Sequence, residues 1–271
     1  MTYRLFLVLY LAPGVLLAMA ALGGRLRYDG AVLPAVMVRR GIPAVAVLVL
    51  AAVAFTTPWD SWLIGNSVWS YPAGSVMGTL AGVPFEEFLF MAGQTVLTGC
   101  WALAVSARPA TAGTRTLQPW RRPVGTVLWL LAAAAGAAVA AVLPHALYLG
   151  SILAWFGIPL ALQAAAGADV LRAARAHRLR GLAITPLLWA GDAVAIHAGA
   201  WTIGPAHTVG LGVLGLPLEE AVFFLLTNVL IVNSVVLVSH PQMHRRLATW
   251  SGRRSAGRPA RAAVGESHGY R

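Results

Sequence analysis

Seven apolar stretches lie near residues 3–22, 41–58, 84–105, 124–143, 146–166, 182–201 and 214–238. Each is close to the roughly 20 residues that a helix needs to cross a bilayer. That pattern leaves little choice of fold. In hydrocarbon every backbone N–H and C=O must be satisfied within its own segment, so each stretch reads as a helix. The chain reads as an all-α, polytopic membrane protein of about seven transmembrane helices. Charge agrees, since only 11% of residues are charged, against roughly a quarter in a soluble domain. The first stretch, with Arg4 ahead of an apolar core, has the form of a signal peptide. Six comparable spans follow it, so it reads as a retained helix. Spans four and five are joined only by a tight turn around Pro144 and His145.

The net charge is +11. Nucleic-acid binding does not follow, because the arginines sit between or after apolar runs and not in a basic stripe interleaved with aromatics. Arg25, Arg27, Arg39 and Arg40 separate spans one and two. Arg108, Arg115, Arg121 and Arg122 separate three and four, and Arg172, Arg175, Arg178 and Arg180 separate five and six. Seven more follow span seven, and Arg4 alone lies on the other side. The positive-inside rule places the N-terminus outside and the C-terminus in the cytoplasm. All twenty basic residues are arginine, which excludes a retinal Schiff base, since that needs a lysine amine. The same bias fits a GC-rich genome and hence a bacterial cell membrane. The single cysteine, Cys100, lies within an apolar run and reads as a small buried hydrophobe.

Against this background a Pro-x-Glu-Glu tetrapeptide occurs twice, each time at the mouth of an apolar run. Pro84-Phe85-Glu86-Glu87 is followed by Phe88 and Phe90, and Pro217-Leu218-Glu219-Glu220 by Phe223 and Phe224. These motifs hold four of only nine acidic residues. Asp60 and Asp192 precede them, and aligning these two also aligns Trp69 with Trp201. A one-residue insertion then aligns the glutamates, and Gln94-Thr95 falls on Thr227-Asn228. The offset is 132 to 133 residues. All six acids fall on the outer side. The sixth and seventh spans come four after the second and third, an even number, so the two repeats are parallel, joined by an extra helix.

Carboxylates at a membrane boundary are costly and point to a site. Proline at the first helical position, with glutamate in the first turn facing the positive end of the dipole, also describes two well-capped helices with no chemistry. The doubled coupling to an upstream Asp and Trp favours a site. Adjacent carboxyls resist ionising together, so a pair can offer a proton and an anion at once. Neighbouring helical residues point about 100° apart, so one glutamate of each pair is expected to face the cavity. An acid flanked by anions and aromatic faces suits a reaction that forms and quenches a carbocation.

Thr57-Pro58-Trp59-Asp60, then Gly65, Trp69 and Tyr71, then Pro84-Phe85-Glu86-Glu87, resembles the first half of the integral-membrane lycopene cyclases. Asp192 to Trp201, then Gly215 to Glu220 with Phe223, Phe224, Thr227 and Asn228, resembles their second half. In many actinobacteria the halves are separate polypeptides, and in fungi they are fused ahead of a phytoene synthase domain. This chain is similar to a fusion of both halves over about residues 1–240. It departs in having Gly191-Asp192 where the first half has Trp59-Asp60, and His197 opposite Gly65.

The resemblance implies a lycopene cyclase that converts the ψ ends of lycopene or a related acyclic carotenoid to rings, the β-ring first among them. The reaction would be acid-catalysed and without net oxidation. It implies catalytic roles for Glu86, Glu87, Glu219, Glu220, Asp60 and Asp192, and substrate contacts from Trp69, Trp201, Phe88 and Phe223. No strand–GxGxxG–helix segment for a flavin is present, and no His/Cys cluster has metal-ligand spacing, so no cofactor is expected. The resulting organisation is a first repeat over 1–110, a linker with the connecting helix over 111–145, a second repeat over 146–240 and a disordered basic tail over 241–271. A homodimer, or association with other carotenoid enzymes, is compatible with this reading. The rival reading is a proton-coupled transporter that uses the outer-side carboxylates.

Overall fold

The computed structural model describes residues 1–28, 35–106 and 117–256. Arg108 and Arg115, used above for orientation, and residues 257–271 of the tail lie outside them. The described residues are all-α apart from three two-residue strand pairs, and seven helices are long and apolar enough to cross a membrane.

The first span is α1 (Tyr3–Phe6), a single π turn (Leu7–Leu11) and α2 (Ala12–Tyr28). Pro13 has no N–H to donate and its ring crowds the carbonyl four residues back, which accounts for the widened turn just before it. The second span lies within α3 (Ala35–Gly65), which carries Pro43 and Pro58 inside. The sequence reading stops this span at 58, but the helix continues past Pro58 and places Asp60 within it. Next come α4 (Phe85–Ser106), α5 (Arg121–Val142) and, after a 3-10 turn at Pro144–Ala146, α6 (Leu147–Ala173).

The sixth span differs most from expectation. It is two helices, α7 (Arg175–Leu182) and α8 (Thr185–His197). The arginine-rich stretch read as a loop is helical, and both side chain and backbone of it find partners on neighbouring helices. Arg178 Nε donates to Asn233 Oδ1 at 2.7 Å, and Trp101 Nε1 donates to the Arg180 carbonyl at 3.0 Å. Last are α9 (Leu218–Ser239) and α10 (Pro241–Ala256). The latter takes up residues 241–256 of the stretch expected as a tail. Arg246 anchors it, with Nη1 donating at 3.1 Å to Asp169 Oδ1 on α6.

Helices α4 and α9 form the centre, with α2, α3, α6 and α7 packed around them. Helix α5 packs almost wholly on α6. Small residues permit that closeness, since a Cβ added at Gly136 would stand 2.7 Å from the Gly150 carbonyl oxygen. The connecting helix therefore stays away from the centre of the bundle. At the end of the bundle that carries the acids, β1 (Trp69–Ser70) pairs antiparallel with β4 (Thr202–Ile203), Trp69 opposite Ile203. This short ladder ties the loop before α4 to the loop before α9.

Candidate functional site

Two hairpins aim the glutamates. Strands β2 (Thr79–Leu80) and β3 (Val83–Pro84) lead into α4, and β5 (Gly212–Val213) and β6 (Leu216–Pro217) lead into α9. Each turns through two residues of positive φ, Ala81 (54°) with Gly82 (80°) and Leu214 (54°) with Gly215 (82°). This is the tight-turn geometry that matches the twist of a hairpin, and glycine adopts it without strain.

The first glutamate of each pair serves its own loop. Glu86 Oε1 accepts from the Met77 N–H at 2.9 Å, and Glu219 Oε1 accepts from the Val209 N–H at 2.7 Å. Both side chains are fully buried, and Arg4 Nε lies 3.9 Å from Glu86. The second glutamate of each pair, a step further round the helix, lines a cavity of about 50 Å³.

Four carboxyl groups converge on that cavity: Glu87 from α4, Glu220 from α9, Asp60 from α3 and Asp192 from α8. Asp60 and Asp192 are only 2% and 1% exposed, and one oxygen of each has no hydrogen-bond partner. The glutamates are held by aromatic donors. Tyr71 donates its hydroxyl to Glu87 Oε1 at 2.5 Å, and the Tyr3 hydroxyl also bonds to Glu87. Tyr148 donates to Glu220 Oε1 at 2.7 Å, and Trp69 Nε1 approaches the same oxygen at 3.3 Å. Trp201 bonds to Asp192. Burial, and then the charge of Glu87, push the Tyr71 phenol well above its ordinary value of 10.0, so it stays a donor.

The walls are aromatic. Phe223 and Trp69 line one side, backed by Trp59, which stacks on Phe223 with centroids 5.7 Å apart and meets Trp69 edge-on at 5.6 Å. On the other side Tyr3 lies 4.8 Å from Trp201, and Phe90 meets Phe224 at 5.8 Å. These π faces surround the carboxyls, an arrangement that can stabilise a transient cation on an apolar guest. Among the described residues that line the cavity none is basic, and no three His, Cys, Asp or Glu side chains are placed to hold a metal ion.

Of the residues picked from sequence, Glu87, Glu220, Asp60, Asp192, Trp69, Trp201 and Phe223 line the cavity, whereas Glu86 and Glu219 do not. Phe88 is not among the lining residues either, and Phe90 takes that place. The reason is helical period. Glu87, Phe90, Met91 and Gln94 recur at the spacing of one face, as do Glu220, Phe223, Phe224 and Thr227, and Phe88 falls off it. His197 is exposed and outside the site. Sequence reasoning missed Tyr3 and Tyr148, which sit near the acid-bearing ends of their spans and look like ordinary interfacial tyrosines. Below the cavity, Asn228 Oδ1 accepts from Thr98 at 2.9 Å and Asn228 Nδ2 donates to Thr185 at 3.0 Å, which joins α4, α9 and α8.

No family model matches the chain, and no solved structure matches it. Among curated proteins, a lycopene beta-cyclase of Halobacterium salinarum is 41% identical over 196 residues, covering 71% of this chain and 81% of that protein. The chain belongs to the lycopene cyclase family. Larger relatives of the lycopene cyclase family match as well. The bifunctional lycopene cyclase/phytoene synthase of Leptosphaeria maculans is 38% identical over 69% of this chain, and that of Phaffia rhodozyma 31% over 76%. The match takes up 34% of each fungal protein, so this lycopene cyclase family member corresponds to only part of them.

Proposed function

We propose that the chain cyclises the ψ end groups of lycopene, or of a similar acyclic carotenoid, to β-rings. The reaction is acid-catalysed and has no net oxidation or reduction. The observation that carries this reading is the meeting of Glu87, Glu220, Asp60 and Asp192 in one aromatic-walled cavity. The similarity to the Halobacterium lycopene beta-cyclase supports both the substrate and the ring type.

The chemistry follows from the groups present. With no basic side chain beside them among the described lining residues, the four carboxyls balance their charge by sharing protons. One of Glu87 and Glu220 gives a proton to the terminal double bond, leaving a tertiary cation. The internal alkene attacks that cation and forms the new carbon–carbon bond of a six-membered ring. A neighbouring carboxylate then takes a proton from the ring carbon skeleton, so one proton enters and one leaves. Trp69, Trp201, Phe223 and Phe224 offer π faces to the cation between those steps. Glu86 and Glu219 hold the hairpins that set Glu87 and Glu220 in register, and Tyr3, Tyr71 and Tyr148 orient the two reacting carboxyls.

Two parallel repeats, 1–110 and 146–240 with the connecting segment between them, account for the matched hairpins and matched glutamate roles. Arginine placement supports an acid-bearing end outside the cell and a C-terminus in the cytoplasm. The comparisons lend nothing to the transporter reading.

The test is pigment analysis of a lycopene-accumulating bacterium that expresses the chain, beside a Glu87→Gln plus Glu220→Gln variant. The expected result is a cyclic isomer of lycopene from the wild type and none from the variant. Lycopene and a second acyclic carotenoid with the same ψ ends, both left unchanged by well-expressed wild type, would overturn the proposal.

A further inference from the structure

The acid cavity, at about 50 Å³, is far too small for a whole carotenoid. A second hollow of about 660 Å³ lies toward the other end of the bundle, within the range of roughly 300–1,000 Å³ of small-molecule sites. It is lined by Pro43, Ala44, Val47 and Leu48 of α3, Ala166 of α6, and Ser234, Leu237 and Val238 of α9; α10 contributes Met243, His244 and Leu247, and Arg40 of α3 stands at its edge with His244. We propose that this chamber and the groove leading to it hold the polyene chain and distal end of the same substrate whose near end reacts among the carboxyls. The inference rests on the cyclase reading.

Continuity of lining is the first argument. On α3, Ala44 and Leu48 line the chamber, and Ala52, Thr56 and Asp60 line the acid cavity. These five residues recur every four positions and so follow a ridge that winds about 40° round the helix at each step, carrying the lining from one hollow toward the other. On α9 the strip runs from Glu220, Phe223 and Thr227 to Ser234 and Val238. Helices α3 and α6 both pack on α9 but scarcely on each other, so α9 is the floor of a groove and they are its walls. Trp155 of α6 spans the walls, donating Nε1 to the Phe55 carbonyl at 3.2 Å.

Length is the second. Ala44 and Asp60 are sixteen residues apart, about 24 Å along a helix, most of the ~30 Å hydrocarbon core. An extended carotenoid needs a track of that order and not a compact pocket.

The third argument is an asymmetry. At the offset that pairs Glu87 with Glu220, Ser234 corresponds to Trp101. Trp101 is half-buried and its indole reaches the Arg180 carbonyl at 3.0 Å. A large ring thus stands on α4 where α9 has only a hydroxymethyl group. The two repeats differ at this level, and the hollow lies on the α9 side, where Ser234 accepts from the Gln163 amide at 2.9 Å.

The experiment uses the full chain with Ala44→Trp and Ala166→Trp, which fill the chamber from opposite walls, and Leu131→Trp on the exposed face of α5 as control. Each is supplied with lycopene and, separately, with a shorter acyclic carotenoid bearing the same terminal unit. Filling the chamber should lower lycopene cyclisation by about tenfold or more, a usual cost of overpacking. The shorter substrate should react as in the wild type, which also shows that the variants fold. Unchanged lycopene conversion would overturn the inference and leave the chamber to a lipid acyl chain. Equal loss of both substrates in folded variants would overturn it too. A wild type that cyclises neither would instead sink the cyclase reading on which it rests.

Discussion

The hydroxyl of Tyr148 donates to Glu220 Oε1 at 2.7 Å, inside a site where neither residue is more than 4% exposed. Tyr148 is carried by α6 and Glu220 by α9, so the bond fixes the reacting carboxyl against a second helix. Removing the hydroxyl leaves a buried carboxyl short of a donor, which typically costs about 1.5–3 kcal/mol. Tyr148→Phe should therefore slow ring formation by roughly 10- to 100-fold, measured as initial rate in isolated membranes. A rate within threefold of wild type would remove Tyr148 from the positioning role.

The two glutamates of each pair should separate cleanly by substitution. Glu219 accepts from the Val209 N–H, and glutamine retains an oxygen for that bond. Glu219→Gln should keep most ring formation, while Glu219→Ala should lower thermal stability in detergent by about 1–3 kcal/mol. Glu220→Gln should abolish activity without that loss of stability. If Glu219→Gln were as dead as Glu220→Gln, the division between loop-holding and reacting glutamates would be wrong.

Tyr71 gives a prediction in pH. Burial and the neighbouring Glu87 charge raise its phenol well above 10.0 in the folded protein. A raised folded value means that its stabilising contribution is fully present below the ordinary tyrosine value of about 10. That contribution is lost as pH climbs from there through the folded value. Thermal midpoints of wild type and Tyr71→Phe should thus differ by a constant amount from pH 7 to 9, and the gap should narrow only at higher pH. A gap that closes between pH 7 and 9 would contradict the assignment.

Much of this site is legible in the sequence. Hydropathy marks seven spans because only uninterrupted helices satisfy their backbone in lipid, and the scarcity of acids makes the repeated Pro-x-Glu-Glu conspicuous. What sequence left open were questions of register and partner. Phe88 follows Glu87 directly, yet Phe90 shares its face, a distinction that helical period alone could have drawn. Asp60 lies beyond Pro58, which reads as a helix end, but α3 continues around it. Tyr3 and Tyr148 are far from the acids in the chain and reach them only through helix packing. Helices α7 and α10 are rich in arginine, so hydropathy passes over them, and bonds such as Arg246 to Asp169 hold them in place.

The central claim, that a carboxyl proton starts the reaction and another carboxyl ends it, is tested most directly by isotope. Membranes containing the chain are given lycopene in deuterated water and the product is weighed by mass spectrometry. The account predicts a product with the mass of the substrate in ordinary water, heavier by one mass unit for each ring formed in deuterated water. A product that gains no deuterium, or that differs from its substrate by added or removed hydrogens, would contradict it.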